Sequence, residues 1–175
     1  MIPRLPAHVV IVALLCGAIV GRVRAQAATA ANAEVEHKAV VELGAAADKG
    51  IGGGTSSAGA TVAVEVTPIP DWLELESGIT GSRGGSHSEV AVDLLIKKPF
   101  RLTSAAEFMI GAGPQLSRAF APGGGSTLAP EVVLDFMFWP ARDVGWYVEP
   151  SYSWSGGRSA QRSIGGSVGL LIGWP

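Results

Sequence analysis

The chain has 175 residues, 13 Lys and Arg against 15 Asp and Glu, a formal charge of −2 and one cysteine. That length suits one domain. The absence of any basic cluster argues against a nucleic-acid surface or a polybasic lipid patch, and one thiol excludes a disulfide framework.

The first 25 residues read as a secretory signal. Arg4 and His8 open it, Val9 to Gly21 is an apolar run of 13 residues, and Val23-Arg24-Ala25 offers small-residue cleavage chemistry. The run falls short of the roughly 20 apolar residues that a membrane-spanning helix needs. Cys16 lies inside it, preceded by Leu15 where a lipidation site wants a small residue, so it reads as part of the apolar run. Loss of residues 1–25 leaves 10 basic against 15 acidic residues. Residues 26–33 are small and unpatterned and form a lead-in; the barrel domain is expected over 34–175.

From there eight segments alternate apolar and polar with the period of a strand, at roughly 34–45, 57–67, 72–80, 88–97, 104–113, 127–139, 144–153 and 162–174. One face of each is free of charge. It runs through Val35, His37 and Leu43 in the first segment, Val62 and Val64 in the second and Leu75 and Ile79 in the third. It continues through Val92 and Leu94, Phe108 and Ile110, Leu134 and Phe136, Trp146 and Val148, and Val168, Leu170 and Ile172. The other face holds Glu36, Glu42, Glu65, Glu74, Glu76, Glu89, Asp93, Glu107, Glu131, Asp135 and Glu149. Eleven of the 15 acids on one side of a period-two pattern give every strand one oily and one wet face. Pro150, inside the seventh segment, removes a ladder hydrogen bond, so a bulge or an early end to pairing is expected there.

The connections alternate in kind. Those at 67–71, 98–102 and 140–143 are short and carry proline; those at 46–58, 81–87, 114–126 and 154–161 are mostly longer and rich in Gly and Ser. Four loops at one end and three tight turns at the other predict an all-β, eight-stranded antiparallel up-and-down barrel.

Three features turn its oily face outward, toward lipid. Charge is costly on a lipid-facing wall. The wet face carries Gly44, Gly78, Gly111, Gly165, Gly169 and Gly173, which make room for long carboxylates in a lumen only just wide enough for side chains. Trp72, Trp139, Trp146 and Trp174 sit at the tight-turn end, where interface aromatics collect, although strict alternation turns Trp72 and Trp139 to the wet face. Glu42, Glu65, Glu74, Glu76, Glu89, Asp93, Glu107, Glu131, Asp135 and Glu149 then form an acidic network in the lumen. On the strands it faces only Lys38 and Lys97; Arg158 and Arg162 are candidate counter-ions from a loop.

With these segments and the closing strand from Ser163 to Trp174, the chain resembles the small eight-stranded outer-membrane β-barrel proteins, the OmpA-transmembrane-domain and OmpX-like group. The resemblance implies a Gram-negative outer membrane, lipid and lipopolysaccharide as surroundings, and an assembly machinery that recognises a last strand ending in an aromatic residue. Here Pro175 follows that aromatic. A monomer is expected, and the lack of a basic patch leaves no place for nucleic acid.

No catalytic, cofactor or metal motif stands out. The carboxylates come from scattered strands without a calcium-loop spacing. His87 is flanked by Ser86 and Ser88, whose side chains an extended strand turns to the opposite face, so it cannot readily activate either. The expected function is a non-enzymatic envelope or surface barrel. A narrow cation-preferring channel, a lipid A-modifying enzyme and a soluble periplasmic ligand-binding barrel are the alternatives.

Overall fold

The computed structural model describes residues 37–52, 54–85, 87–155 and 162–175. The expected signal and lead-in, with Cys16, Val35 and Glu36, lie outside the described residues, as do Ser86 and Arg158. Eight strands follow in order: β1 Ala39–Gly50, β2 Ser56–Ile69, β3 Leu73–Gly84, β4 His87–Thr103, β5 Ala106–Phe120, β6 Ser126–Phe138, β7 Val144–Trp154 and β8 Arg162–Trp174. Each pairs antiparallel with its chain neighbours, and β1 pairs with β8 to close the barrel. Following paired residues from Ala39 through Val66, Leu75, Ile96, Ala112, Val132, Tyr152 and Ile164 returns to β1 at Lys49, a stagger of ten residues. Closure of a sheet requires such a stagger, with strands tilted by about 35–45°.

The charge-free face is the outer one. Val62, Val64, Ile79, Leu94, Ile96, Val168 and Leu170 are all exposed, while their sequence neighbours Ala63, Glu65, Leu95, Lys97 and Leu171 are buried. Aromatic side chains gather on this face at both ends. At the tight-turn end Phe138 stacks on Trp146 at 4.1 Å between ring centroids, and Phe100, Phe108 and Phe136 form a ladder across β4, β5 and β6. At the loop end Tyr152 and Trp154 lie 5.7 Å apart. A charge-free band between two aromatic girdles is what a bilayer asks of a barrel wall.

The strands differ from the expected boundaries mainly at the loop end. Residues 46–50, 81–84 and 114–120 continue the ladder instead of forming loops. Gly50, Ser82, Gly84 and Ser117 there line the lumen rather than forming turns. The β3–β4 connection shrinks to a tight hairpin at Gly85, whose positive φ of 57° suits a residue without a side chain. At the other end Lys98, Pro99 and Arg101 belong to β4, and β1 begins at Ala39, so His37 precedes the ladder.

Pro150 interrupts pairing without shifting it. The β6–β7 ladder runs from Glu131 opposite Ser153 to Val133 opposite Ser151, skips two steps, and resumes at Phe136 opposite Val148 in the same register. On its other side Pro150 still lies opposite Gly166 of β8. The missing N–H therefore costs contacts with β6 alone. Pro150→Val is expected to stabilise the barrel by about 0.5–1.5 kcal/mol for one restored hydrogen bond, read as a higher urea midpoint. An unchanged or lower midpoint would show that β6 has no acceptor waiting there.

Candidate functional site

The interior is layered, and the layers follow from the alternation and the stagger. At the tight-turn end Val40, Met109, Met137, Tyr147 and Leu171 form the buried apolar cluster, with Trp139 packed against it. Trp139 stacks on His37 at 4.2 Å between centroids, and His37 Nε2 lies 2.9 Å from the Arg142 carbonyl oxygen. These two rings cap the cluster. Trp139 thus lies against the core rather than on the outer wall, whereas Trp72, Trp146 and Trp174 are exposed. His37, placed by alternation on the oily face, turns inward because the chain has left the ladder before Ala39. Outside the barrel, Arg101 and Lys98 at the end of β4 tie down the β2–β3 turn through the Asp71 carboxylate at 2.8 Å and the Asp71 carbonyl.

Above the apolar cluster sits Lys97, whose side chain is fully buried. Its Nζ lies 2.8 Å from Asp135 Oδ2, 2.9 Å from Glu149 Oε2 and 3.4 Å from Glu65 Oε2, and it also contacts Glu76 Oε2. Four strands besides β4 therefore converge on one ammonium. Two inward glycines make room for charged side chains. A Cβ on Gly111 would meet Lys97 Cγ and Val133 Cγ2 at 2.8 Å each, and a Cβ on Gly78 would meet Asp93 Oδ1 at 2.6 Å. The small residues on the wet face are therefore seats for the long charged ones.

Beyond Lys97 toward the loops is a chamber of about 110 Å³, lined by Glu42, Glu76, Asp93, Glu131, Tyr147 and Glu149 among others. Gln115 donates to Glu131 there at 2.8 Å. It continues into a wider vestibule of about 360 Å³, rimmed by hydroxyls such as Ser57, Ser82, Ser117 and Thr127 together with Asp48, His87 and Glu89. Asp48, Ser57, Ser82, Glu89 and Gln115 line both spaces. The lumen is thus polar and continuous from the loop end down toward Lys97; below it the apolar cluster shares the inner wall with Glu74 and Glu107.

All ten acids expected in the lumen lie on its inner wall. Glu42, Glu65, Glu74, Glu76, Glu131 and Asp135 are buried; Glu89, Asp93, Glu107 and Glu149 are partly so. The fold joins Glu65, Glu76, Asp135 and Glu149 through Lys97 and leaves Glu89 in the vestibule. Glu74 and Glu107 lie nearest the tight-turn end. Lys38 is exposed, as is Arg162, so neither serves as the expected counter-ion. Sequence reasoning overlooked Tyr147. Its parity was the available signal, since it stands between the outward Trp146 and Val148.

No family model matches the chain, and no curated protein matches it. Solved structures do. Neisserial surface protein A superposes with a TM-score of 0.63 at 18% identity, over 78% of this chain and 97% of that one. The outer membrane protein OprG of Pseudomonas aeruginosa gives 0.62 at 10% identity, over 82% and 99%. Ail, the attachment invasion locus protein of Yersinia pestis, gives 0.51 at 14%, over 79% and 100%. These likenesses show the fold, that of the small eight-stranded outer-membrane barrels.

Proposed function

We propose that the chain is a non-enzymatic integral protein of a Gram-negative outer membrane, closed to through-flow, with a role in envelope structure or surface interaction. The fold alone names no ligand. What supports the reading is the division of the lumen: a wet, acidic upper half, a buried Lys97 bound by four carboxylates, and an apolar floor. A hydrated ion meets both a fixed cation and the floor of Met109, Met137 and Leu171 on its way through.

The exposed Lys49, Arg83 and Arg118 lie at the loop end, placed to face the acidic headgroups of lipopolysaccharide. Arg118 also rests 5.9 Å from the Phe120 ring. The last strand, Arg162–Trp174, carries the alternation and terminal aromatic that an assembly machinery would read. Against an acyl-hydrolase reading, Ser88 is exposed on the outer wall while His87 lines the vestibule, so this pair lacks the contact that nucleophilic catalysis needs.

The chain refolded into phospholipid is expected to show heat-modifiable gel mobility and no steady current across a planar bilayer. A stable monomer in aqueous extract without detergent would remove the membrane assignment. Steady cation currents that fall in Glu107→Gln and Glu131→Gln would replace the closed barrel by a channel.

A further inference from the structure

We propose that the lumen chamber is a binding site for one hard divalent cation of the calcium or magnesium class, held by Glu42, Glu76 and Glu149 above the Lys97 ammonium and reached from the loop end. The inference rests on the barrel reading but asks for more than it.

The donor set comes first. One carboxylate oxygen from each of Glu42, Glu65, Glu76 and Asp135 lies within 4.8 Å of the others, and all four residues are buried. Lys97 binds Glu65, Glu76 and Asp135 of this group and also Glu149; of the five acids, Glu42, Glu76 and Glu149 line the chamber. A single positive charge then stands against five carboxylates. An ionised carboxylate accepts hydrogen bonds and donates none, so two of them cannot satisfy each other without a cation or a proton between.

The second observation is independent of the acids. Tyr147 is fully buried and lines the same chamber, where its Oη lies beside Ser167 without a hydrogen bond of good geometry. Glu42 Oε1 is likewise buried without a hydrogen-bond partner. Orphaned buried oxygens converging on one space call for an occupant. Hard divalent cations take six or more oxygen ligands, from carboxylates, neutral oxygens and water together. Three carboxylates, a phenol oxygen and room for a few waters match that demand.

Access supports the choice of a cation over a proton alone. The vestibule is lined by Asp48 and Glu89 among hydroxyls and His87, with no Lys or Arg side chain among its described lining residues. A mouth of one sign concentrates ions of the other. Below the site, Lys97 and the apolar floor stop further passage, so the space works as a dead-end pocket.

The test uses the full chain refolded in detergent micelles, with calcium alone and magnesium alone followed by titration calorimetry and terbium alone by luminescence. The expected result is one saturable site, terbium emission sensitised through Tyr147 and quenched by calcium, and at least a tenfold loss of affinity in Glu42→Gln and in Glu149→Gln. Tyr147→Phe tests the phenol oxygen separately and should weaken binding. Heat-modifiable mobility reports folding of every variant. If Glu42→Gln does not fold, Glu149→Gln carries the comparison; if neither folds, the wild-type titration with the Tyr147→Phe comparison decides. A folded wild-type barrel without saturable binding, or folded carboxylate variants that bind as wild type does, would overturn the cation site and leave the barrel standing. Failure of the wild type to become heat-modifiable would count against the barrel itself.

Discussion

Lys97→Met is expected to destabilise the barrel by about 3–5 kcal/mol, the cost of leaving buried charge without its partner. Methionine matches the length of the lysine stem, so packing against Gly111 and Val133 survives and the loss reports charge. Asp135, Glu76, Glu65 and Glu149 then face one another across the lumen with nothing between them. Restoring neutrality from the other side should recover much of the loss. Lys97→Met with Glu76→Gln and Asp135→Asn is expected to be more stable than Lys97→Met alone, because removing both sides of a buried pair avoids an orphan. Urea unfolding from lipid vesicles measures all three chains. Equal midpoints for wild type and Lys97→Met would mean that the carboxylates are neutralised by something other than this lysine.

The outer wall was legible in the sequence because one rule, absence of charge, holds at every second residue through the middle of each strand. The alternation at Val62, Val64 and Val66, or at Val168, Leu170 and Ile172, needs no knowledge of the neighbouring strand. The charge hub was legible only in part. Alternation puts Lys97 and Glu149 on the inner wall but gives no height along the axis. That height depends on the ten-residue stagger, which accumulates over eight pairings and is written in no single segment. The long loops were misjudged for a chemical reason. Gly81, Ser82 and Gly84 look like turn formers, yet all three belong to β3: a Cβ on Gly84 would meet the Ser56 carbonyl oxygen at 2.5 Å and Ser57 at 3.0–3.1 Å, and Ser82 lines the chamber. His37 shows a further limit. Parity orients a side chain only while the chain stays in the ladder, and β1 starts two residues later.

Val168→Arg is expected to cost about 2–4 kcal/mol, and Leu128→Arg only about 0–1 kcal/mol, although both replace an exposed aliphatic residue on the outer wall. The difference is depth. Val168 stands six residues from each end of β8, with Val148 and Ala45 opposite it on the flanking strands. A guanidinium there has aliphatic neighbours on both sides and must reach past them to water. Leu128 lies two residues into β6 beside the β5–β6 loop, opposite Leu116, where an arginine reaches headgroups directly. In a water-soluble barrel the two substitutions would cost alike, since both positions are exposed. Urea unfolding of the two variants from phospholipid vesicles, each compared with wild type, separates the cases: a gap of less than about 1 kcal/mol between them would mean that the aliphatic wall does not face hydrocarbon.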